Sequence, residues 1–170
     1  MIALTPVAAV VVDVVVWAVV GTAIGFGLHR VPAARFAEDS WLTRLRPFER
    51  DGRWYEAHLH IKAWKSRLPE AGALFRDGFS KRSLAAGSRE HLARFIIETR
   101  RAELTHWAVL AIAPLFALWN PWGLTLVMWL YAVLANVPCL LIQRYNRARL
   151  LRVLARDPRA RPSVARVDPA

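Results

Sequence analysis

Glu103 and His106 stand three residues apart in the string Glu98-Thr99-Arg100-Arg101-Ala102-Glu103-Leu104-Thr105-His106-Trp107. On a helix that spacing makes them neighbours on one face. A histidine oriented by a carboxylate is a candidate general base, because imidazole titrates near neutrality. The same pair has a plainer reading, an interfacial histidine bonded to an acid. The spacing also matches half of a carboxylate metal site, but the second such motif is missing, so no metal is expected. A second polar string, Gln143-Arg144-Tyr145-Asn146-Arg147, follows an apolar run. Its arginines read by default as charges at a membrane surface. Asn136 lies about 9 Å from Ile142 at helical rise, inside the apolar run, where an amide needs a partner.

The elements that must position these residues are apolar segments. All 24 Lys and Arg residues lie outside three of them, which run over about 5–28, 107–119 and 123–142. This is the charge asymmetry of a polytopic membrane protein. It predicts an all-α membrane protein in one membrane domain, located in the cell (inner) membrane. The first span covers 5–28. A cytoplasmic interfacial helical region covers 29–101. The second span, counted from Ala102, covers 102–119, and the third covers 123–142. A basic cytoplasmic tail covers 143–170. The N-terminus is then outside and the C-terminus cytoplasmic. Because the second and third spans form a hairpin, the two polar strings meet at the inner surface. Asn120-Pro121-Trp122-Gly123 reads as the outer turn, with Trp119, Trp122 and Trp129 in the aromatic belt.

The first segment lacks the positive n-region and cleavage site of a signal peptide and reads as a retained anchor. Its Gly21-x-x-x-Gly25 would allow close helix approach. Asp13, costly if ionised and lipid-facing, must reach the outer interface or be neutral. In the inner region Trp54, Ala57, Ile61, Trp64 and Leu68 recur at helical steps, opposite His58, Lys62, Lys65 and Arg67. That predicts one basic amphipathic helix in the interface plane, ended by Pro69. Gly72, Gly78 and Gly87 mark a looser stretch. Ser88 then reads as the N-cap of a helix running without a breaker into the second span, with Pro114 as its kink.

The net charge of +11 would suit nucleic acid, but it sits beside membrane spans. Attraction to anionic lipid, worth about 1 kcal/mol per basic residue, is the simpler reading, and no nucleic-acid partner is expected. The lone Cys139 rules out an intrachain disulfide. No His is followed five residues later by Asp, and there is no Gly-x-Ser-x-Gly, P-loop or Gly-x-Gly-x-x-Gly. A Ser or Cys nucleophile is therefore unsupported, and no cofactor is implied.

Three strings together resemble the glycosyl-4,4'-diaponeurosporenoate acyltransferase family of staphyloxanthin-like carotenoid biosynthesis. They are Ile61-Lys62-Ala63-Trp64-Lys65 with Leu68-Pro69, then Ile96 through Trp107, then Ala135-Asn136-Val137-Pro138 through Ile142 to Leu150. Pro47-Phe48-Glu49 and Gly52-Arg53-Trp54 match more loosely. Ala148 stands where a Pro is usual. The resemblance implies transfer of a fatty acyl group to a sugar hydroxyl of a glycosylated carotenoid or related isoprenoid glycolipid. It hands over no catalytic residue, so the roles come from residue chemistry. His106 would take the hydroxyl proton and Glu103 would orient it. Arg100, Arg101, Arg144 or Arg147 would bind phosphates of the donor. Asn136 or Gln143 would donate to the oxyanion. Glu98, Asn146, Trp64 and Lys65 complete the substrate-binding candidates. The partners are then membrane lipid, an amphiphilic glycosylated acceptor and an acyl donor, acyl-CoA or acyl-carrier protein, with self-association left open. A non-catalytic membrane scaffold for other lipid-biosynthesis enzymes is the alternative.

Overall fold

The computed structural model describes residues 5–49, 51–68 and 89–156. Among them every regular element is helical. Helix α1 (Pro6–Arg30) begins where Thr5 Oγ1 accepts the Ala8 N–H at 3.3 Å and Pro6 supplies a pre-set first residue. Helices α2 (Arg53–Leu59) and α3 (Ile61–Trp64) are short. Helix α4 (Arg89–Ile112) tightens into a 3-10 stretch, Ala113–Leu118, at the predicted Pro114. Proline has no N–H to give the preceding turn, so the α pattern cannot continue unchanged. Helix α5 (Trp122–Arg156) returns antiparallel to α4.

Helices α1 and α5 are long and apolar enough to cross a membrane; α4, which carries the charged string around Arg100, does not reach that standard as a whole. Only 11% of the apolar window of α1 and 28% of that of α5 is buried within the protein. A soluble core helix would be mostly buried, so these apolar faces need another covering. Val7, Val14 and Val19 on α1 and Leu126, Leu130 and Leu134 on α5 are among the exposed side chains.

Polar contacts pin α1 against the hairpin at both ends. At the 119–121 turn, Trp119 Nε1 and Asn120 Nδ2 donate to Asp13 Oδ1 at 2.8 and 2.7 Å. Asp13 is thus buried against the turn. At the opposite end, Arg101 Nη1 donates to the carbonyls of Leu28, His29 and Val31 at 2.6, 2.8 and 2.9 Å. These carbonyls close the helix C-terminus, where Leu28 also accepts the Val31 N–H at 3.3 Å, and a cation suits the dipole there. Between the two ends Trp17 stacks on Phe116 with centroids 4.8 Å apart. The expected close approach at Gly21 is not made, since nothing among the described residues lies within 4 Å of a Cβ built there.

The segment from 33 to 68 wraps the charged end of the hairpin. Its apolar residues do form a small core, in which Tyr55 and Ile61 pack on Ile142 and Tyr145 of α5, flanked by Trp54, Leu59, Trp64 and Leu68. The single amphipathic helix expected over 54–68 is broken at His60, which adopts φ 45°. In one straight helix Tyr55 and Ile61, six residues apart, would point about 120° apart. The left-handed step lets both bury in the same cluster. Trp64 Nε1 donates to the Leu59 carbonyl freed by the break, at 2.9 Å. The predicted stop at Pro69, the glycines Gly72, Gly78 and Gly87, and the Ser88 cap lie outside the described residues.

Gly52 precedes α2 at φ 76°, and a Cβ there would meet Arg149 Cγ at 3.2 Å and the Tyr145 ring at 3.4 Å. Both the backbone conformation and the close approach to α5 call for glycine. Gly52→Val should therefore lower stability by about 1–3 kcal/mol. Thermal unfolding in detergent, followed by tryptophan fluorescence, measures it; an unchanged midpoint would mean that this loop does not pack on α5 as described.

Candidate active site

Glu103 has no exposed surface, and its carboxylate does not meet His106. Its Oε1 accepts from Arg144 Nη1 and its Oε2 from Arg147 Nη2 at 2.6 Å. Trp107 Nε1 reaches Oε1 at 3.4 Å. The expected Glu103–His106 pair is thus replaced by a link between α4 and α5. An i,i+3 spacing favours a neighbour on the same helix. Two guanidiniums from the facing helix compete better for a buried carboxylate, because each brings charge as well as a hydrogen bond.

Arg144 uses all of its N–H groups. Nε and Nη2 donate to the two oxygens of Glu49 at 2.7 Å each, a bidentate clamp. Nη1 also donates to the Leu42 carbonyl at 3.0 Å and Nη2 to the Arg44 carbonyl at 2.9 Å. Arg147 Nη2 donates to the Thr43 carbonyl at 2.5 Å. Consecutive carbonyls of 42–44 are thus held by two arginines one turn apart on α5. Ser40 and Thr43 shape that loop by reciprocal bonds, Ser40 N–H to Thr43 Oγ1 at 2.9 Å and Thr43 N–H to Ser40 Oγ at 3.2 Å. Glu49 also accepts the Tyr55 hydroxyl. Burial alone would raise the Glu49 carboxyl, but hydrogen bonds from Arg144, Tyr55 and the Arg46 N–H outweigh it and hold the group below the usual carboxylate range. Burial first, and Glu49 second, push the Tyr55 phenol up, so it keeps its proton.

His106 is half-buried and bonds Asn136 across the hairpin. Its Nδ1 lies 2.9 Å from Asn136 Oδ1, while Asn136 Nδ2 donates to the Ala132 carbonyl at 2.9 Å. That second bond decides the first. The carbonyl can only accept, so it must face the amide nitrogen, and the amide oxygen is left facing the ring. His106 Nδ1 therefore carries the proton and donates, and Nε2 presents its lone pair. Asn136, expected as an oxyanion donor, presents its oxygen to the ring and one amide N–H to the Ala132 carbonyl.

The remaining predicted site residues fall into two groups. Arg100 bonds Asp39 at 2.7 Å and the Ala37 carbonyl at 2.9 Å, and Arg101 caps α1 and pairs with Glu98 at 3.1 Å. With Arg144 and Arg147 they are turned toward protein acceptors, so the four hold the scaffold together rather than form an open phosphate cradle. Lys65 sits over the Tyr145 ring at 4.7 Å and reaches Asn146 Oδ1 at 3.4 Å, beside Trp64. Gln143 is half-buried on α5. Glu49 and Tyr55 are site residues that the sequence does not single out; Glu49 is visible only within the short string Pro47-Phe48-Glu49. Among the described residues no group of His, Cys, Asp or Glu could hold a metal ion.

The profile of the glycosyl-4,4'-diaponeurosporenoate acyltransferase family matches residues 38–156. That interval begins at the loop held by Arg100 and ends with α5. A glycosyl-4,4'-diaponeurosporenoate acyltransferase of Staphylococcus aureus strain bovine RF122 / ET3-1 is 33% identical over 128 residues, covering 74% of this chain and 75% of the relative. The enzyme of the same name from strain MRSA252 is 32% identical over 127 residues, with the same coverage. No solved structure matches.

Removing one partner from a buried ion network leaves the other charge unpaired, at a cost of about 3–5 kcal/mol. Glu103→Gln should therefore act first on folding, with lower yield and a lower unfolding midpoint in detergent, whereas His106→Ala should not. Equal midpoints for wild type and Glu103→Gln would show that Glu103 does not hold the hairpin.

Proposed function

The chain belongs to the glycosyl-4,4'-diaponeurosporenoate acyltransferase family, and on that premise we propose that it transfers a fatty acyl group to a sugar hydroxyl of a glycosylated carotenoid or kindred isoprenoid lipid. The observation that carries the reading is the His106–Asn136 pair, whose tautomer leaves Nε2 free to accept a proton at the charged end of an apolar hairpin. An acceptor with an apolar tail and a sugar head would place its hydroxyl at that depth. The donor is a thioester, of coenzyme A or of an acyl-carrier protein. The hydroxyl oxygen attacks the thioester carbon as Nε2 takes its proton. The tetrahedral intermediate collapses, the C–S bond breaks, and the imidazolium returns the proton to the departing thiolate. The products are an ester and a free thiol. Asn136 holds the ring throughout and stabilises its charged form through the Nδ1 bond. A half-buried Gln143 amide is the remaining candidate donor to the oxyanion. A pure scaffold would have no use for a fixed imidazole tautomer.

In this reading the protein is a multi-pass protein of the cell membrane. The first span is α1. The second runs over 102–119, the end of α4 with its 3-10 extension, and the third is the apolar part of α5. The 29–101 region and the tail after 143 face the cytoplasm, where thioester donors are made. The stitching of α1 to Arg101 of α4 at one end and to the 119–121 turn at the other supports a second crossing, since the stretch between runs alongside a helix long enough to span.

A positioned general base contributes about 10²–10⁴-fold to rate. His106→Ala should lose acyl transfer to a glycosylated acceptor by that factor in purified membranes, at matched expression. Near-wild-type turnover would remove His106 from the chemistry. Topology is checked separately: a reporter fused after Ala170 should read as cytoplasmic, and an exported reporter would overturn the three-span arrangement.

A further inference from the structure

Between α4, its 3-10 extension and α5 runs an apolar groove of about 180 Å³, lined by Leu110, Ala113, Pro114, Trp129, Ala132 and Val133. The side chains of this lining carry one polar atom, the indole nitrogen of Trp129. Its position is tied to the His106–Asn136 pair. Leu110 lies one turn beyond His106 on α4, and Ala132, one turn before Asn136 on α5, gives its carbonyl to the Asn136 amide. The groove therefore starts where the pair ends and runs toward the 119–121 turn. Local sequence explains why it exists. Pro114 interrupts the α pattern, and Ala113 and Ala132, both buried, leave room between the helices. Trp129 and Val133, one turn apart on α5, are 42% and 46% exposed. They form an outer wall that is open on its lipid-facing side.

We infer that this groove holds the fatty acyl chain of the donor, with the thioester carbonyl at His106 and the chain running outward along α4 and α5. The inference rests on the acyl-transfer reading above and adds to it the residues that choose the chain. Three features favour this occupant. The side chains of the lining offer a sugar one indole N–H and no other polar group. The volume is below the roughly 300–1,000 Å³ of sites for larger ligands, which fits a single chain segment. The run from His106 to Pro114 is about 12 Å at helical rise, against a hydrocarbon core of about 30 Å. A stiff polyene acceptor would overrun it in a straight line, whereas an alkyl chain fills it and bends out past Trp129 into lipid. Trp129 and Val133 are thus specificity-determining residues that touch the chain and not the reacting atoms.

The test uses the full-length protein in detergent or lipid vesicles, a series of acyl-CoA thioesters of graded chain length, and one glycosylated isoprenoid acceptor. Val133→Trp, which fills the groove from its open side, should depress kcat/KM for long-chain donors relative to short ones by about 10-fold or more, the effect of denying a methylene or two its pocket. Trp129→Ala, which widens the groove, should shift the ratio toward longer chains. His106→Ala should lower transfer from every donor alike. An unchanged long-to-short ratio in both groove variants, with His106→Ala inactive, would overturn the groove assignment and leave the proposed reaction standing. A changed KM for the acceptor with an unchanged donor ratio would likewise overturn it, because the groove would then hold the acceptor's tail. Failure of the wild-type protein to transfer acyl groups from any donor would instead overturn the underlying reading, before any variant is made.

Discussion

A carboxylate with no exposed surface beside apolar helices needs partners for both its oxygens, and Glu103 is met by two arginines. This constraint organises the charged end of the molecule. Arg144 and Arg147 must project from one face of α5. The other N–H groups of Arg144 reach Glu49 and the carbonyls of Leu42 and Arg44, and Arg147 Nη2 also reaches the Thr43 carbonyl. Two acids and two arginines balance, so the network carries no net charge into a site of low dielectric. Such a network is weak evidence of net stability, because burying the charges costs about what pairing returns. Its effect is on geometry. It fixes the register of α4 against α5, and it fastens the 40–49 loop to the hairpin.

The same device recurs at lower intensity elsewhere. Arg101 closes the C-terminus of α1, Arg100 holds the 36–39 segment through Asp39, and Asp13 receives the turn at the far end. Each is a charged residue serving backbone or amide groups that apolar surroundings would leave unpaired. Spans that share a lipid environment gain little from hydrophobic contact with each other, so polar stitches of this kind decide how they dock.

The composition of this end could be read from the chain, but the pairing could not. A hairpin of the second and third apolar segments puts the two polar strings at one depth, and the structure brings them together. Helical spacing favours partners on the same helix, and for Glu103 that partner is His106. Its real partners lie 41 and 44 residues away, and a single sequence carries no sign of such distances. The break at His60 was hidden for a related reason. The apolar positions from Trp54 to Leu68 keep a helical period, yet the small core on α5 demands that Tyr55 and Ile61 converge. Tertiary packing overrode a periodic pattern. Pro114, by contrast, acts through its own missing N–H, a local effect, and it was legible.

The pairing of Glu103 with two arginines also changes the surroundings of the candidate base. With a carboxylate on Nδ1, the imidazolium would be strongly favoured, and the ring would hold a proton it needs to receive. A neutral amide does less. It fixes which nitrogen is bare and supports the charged ring only through one hydrogen bond. That suits a base that must be unprotonated when the hydroxyl arrives and must release its proton when the thiolate leaves. The division of labour follows from the wiring of the hairpin. The acid that could have tuned His106 is taken up by two arginines that hold the helices in register, and that register sets Asn136 opposite the ring.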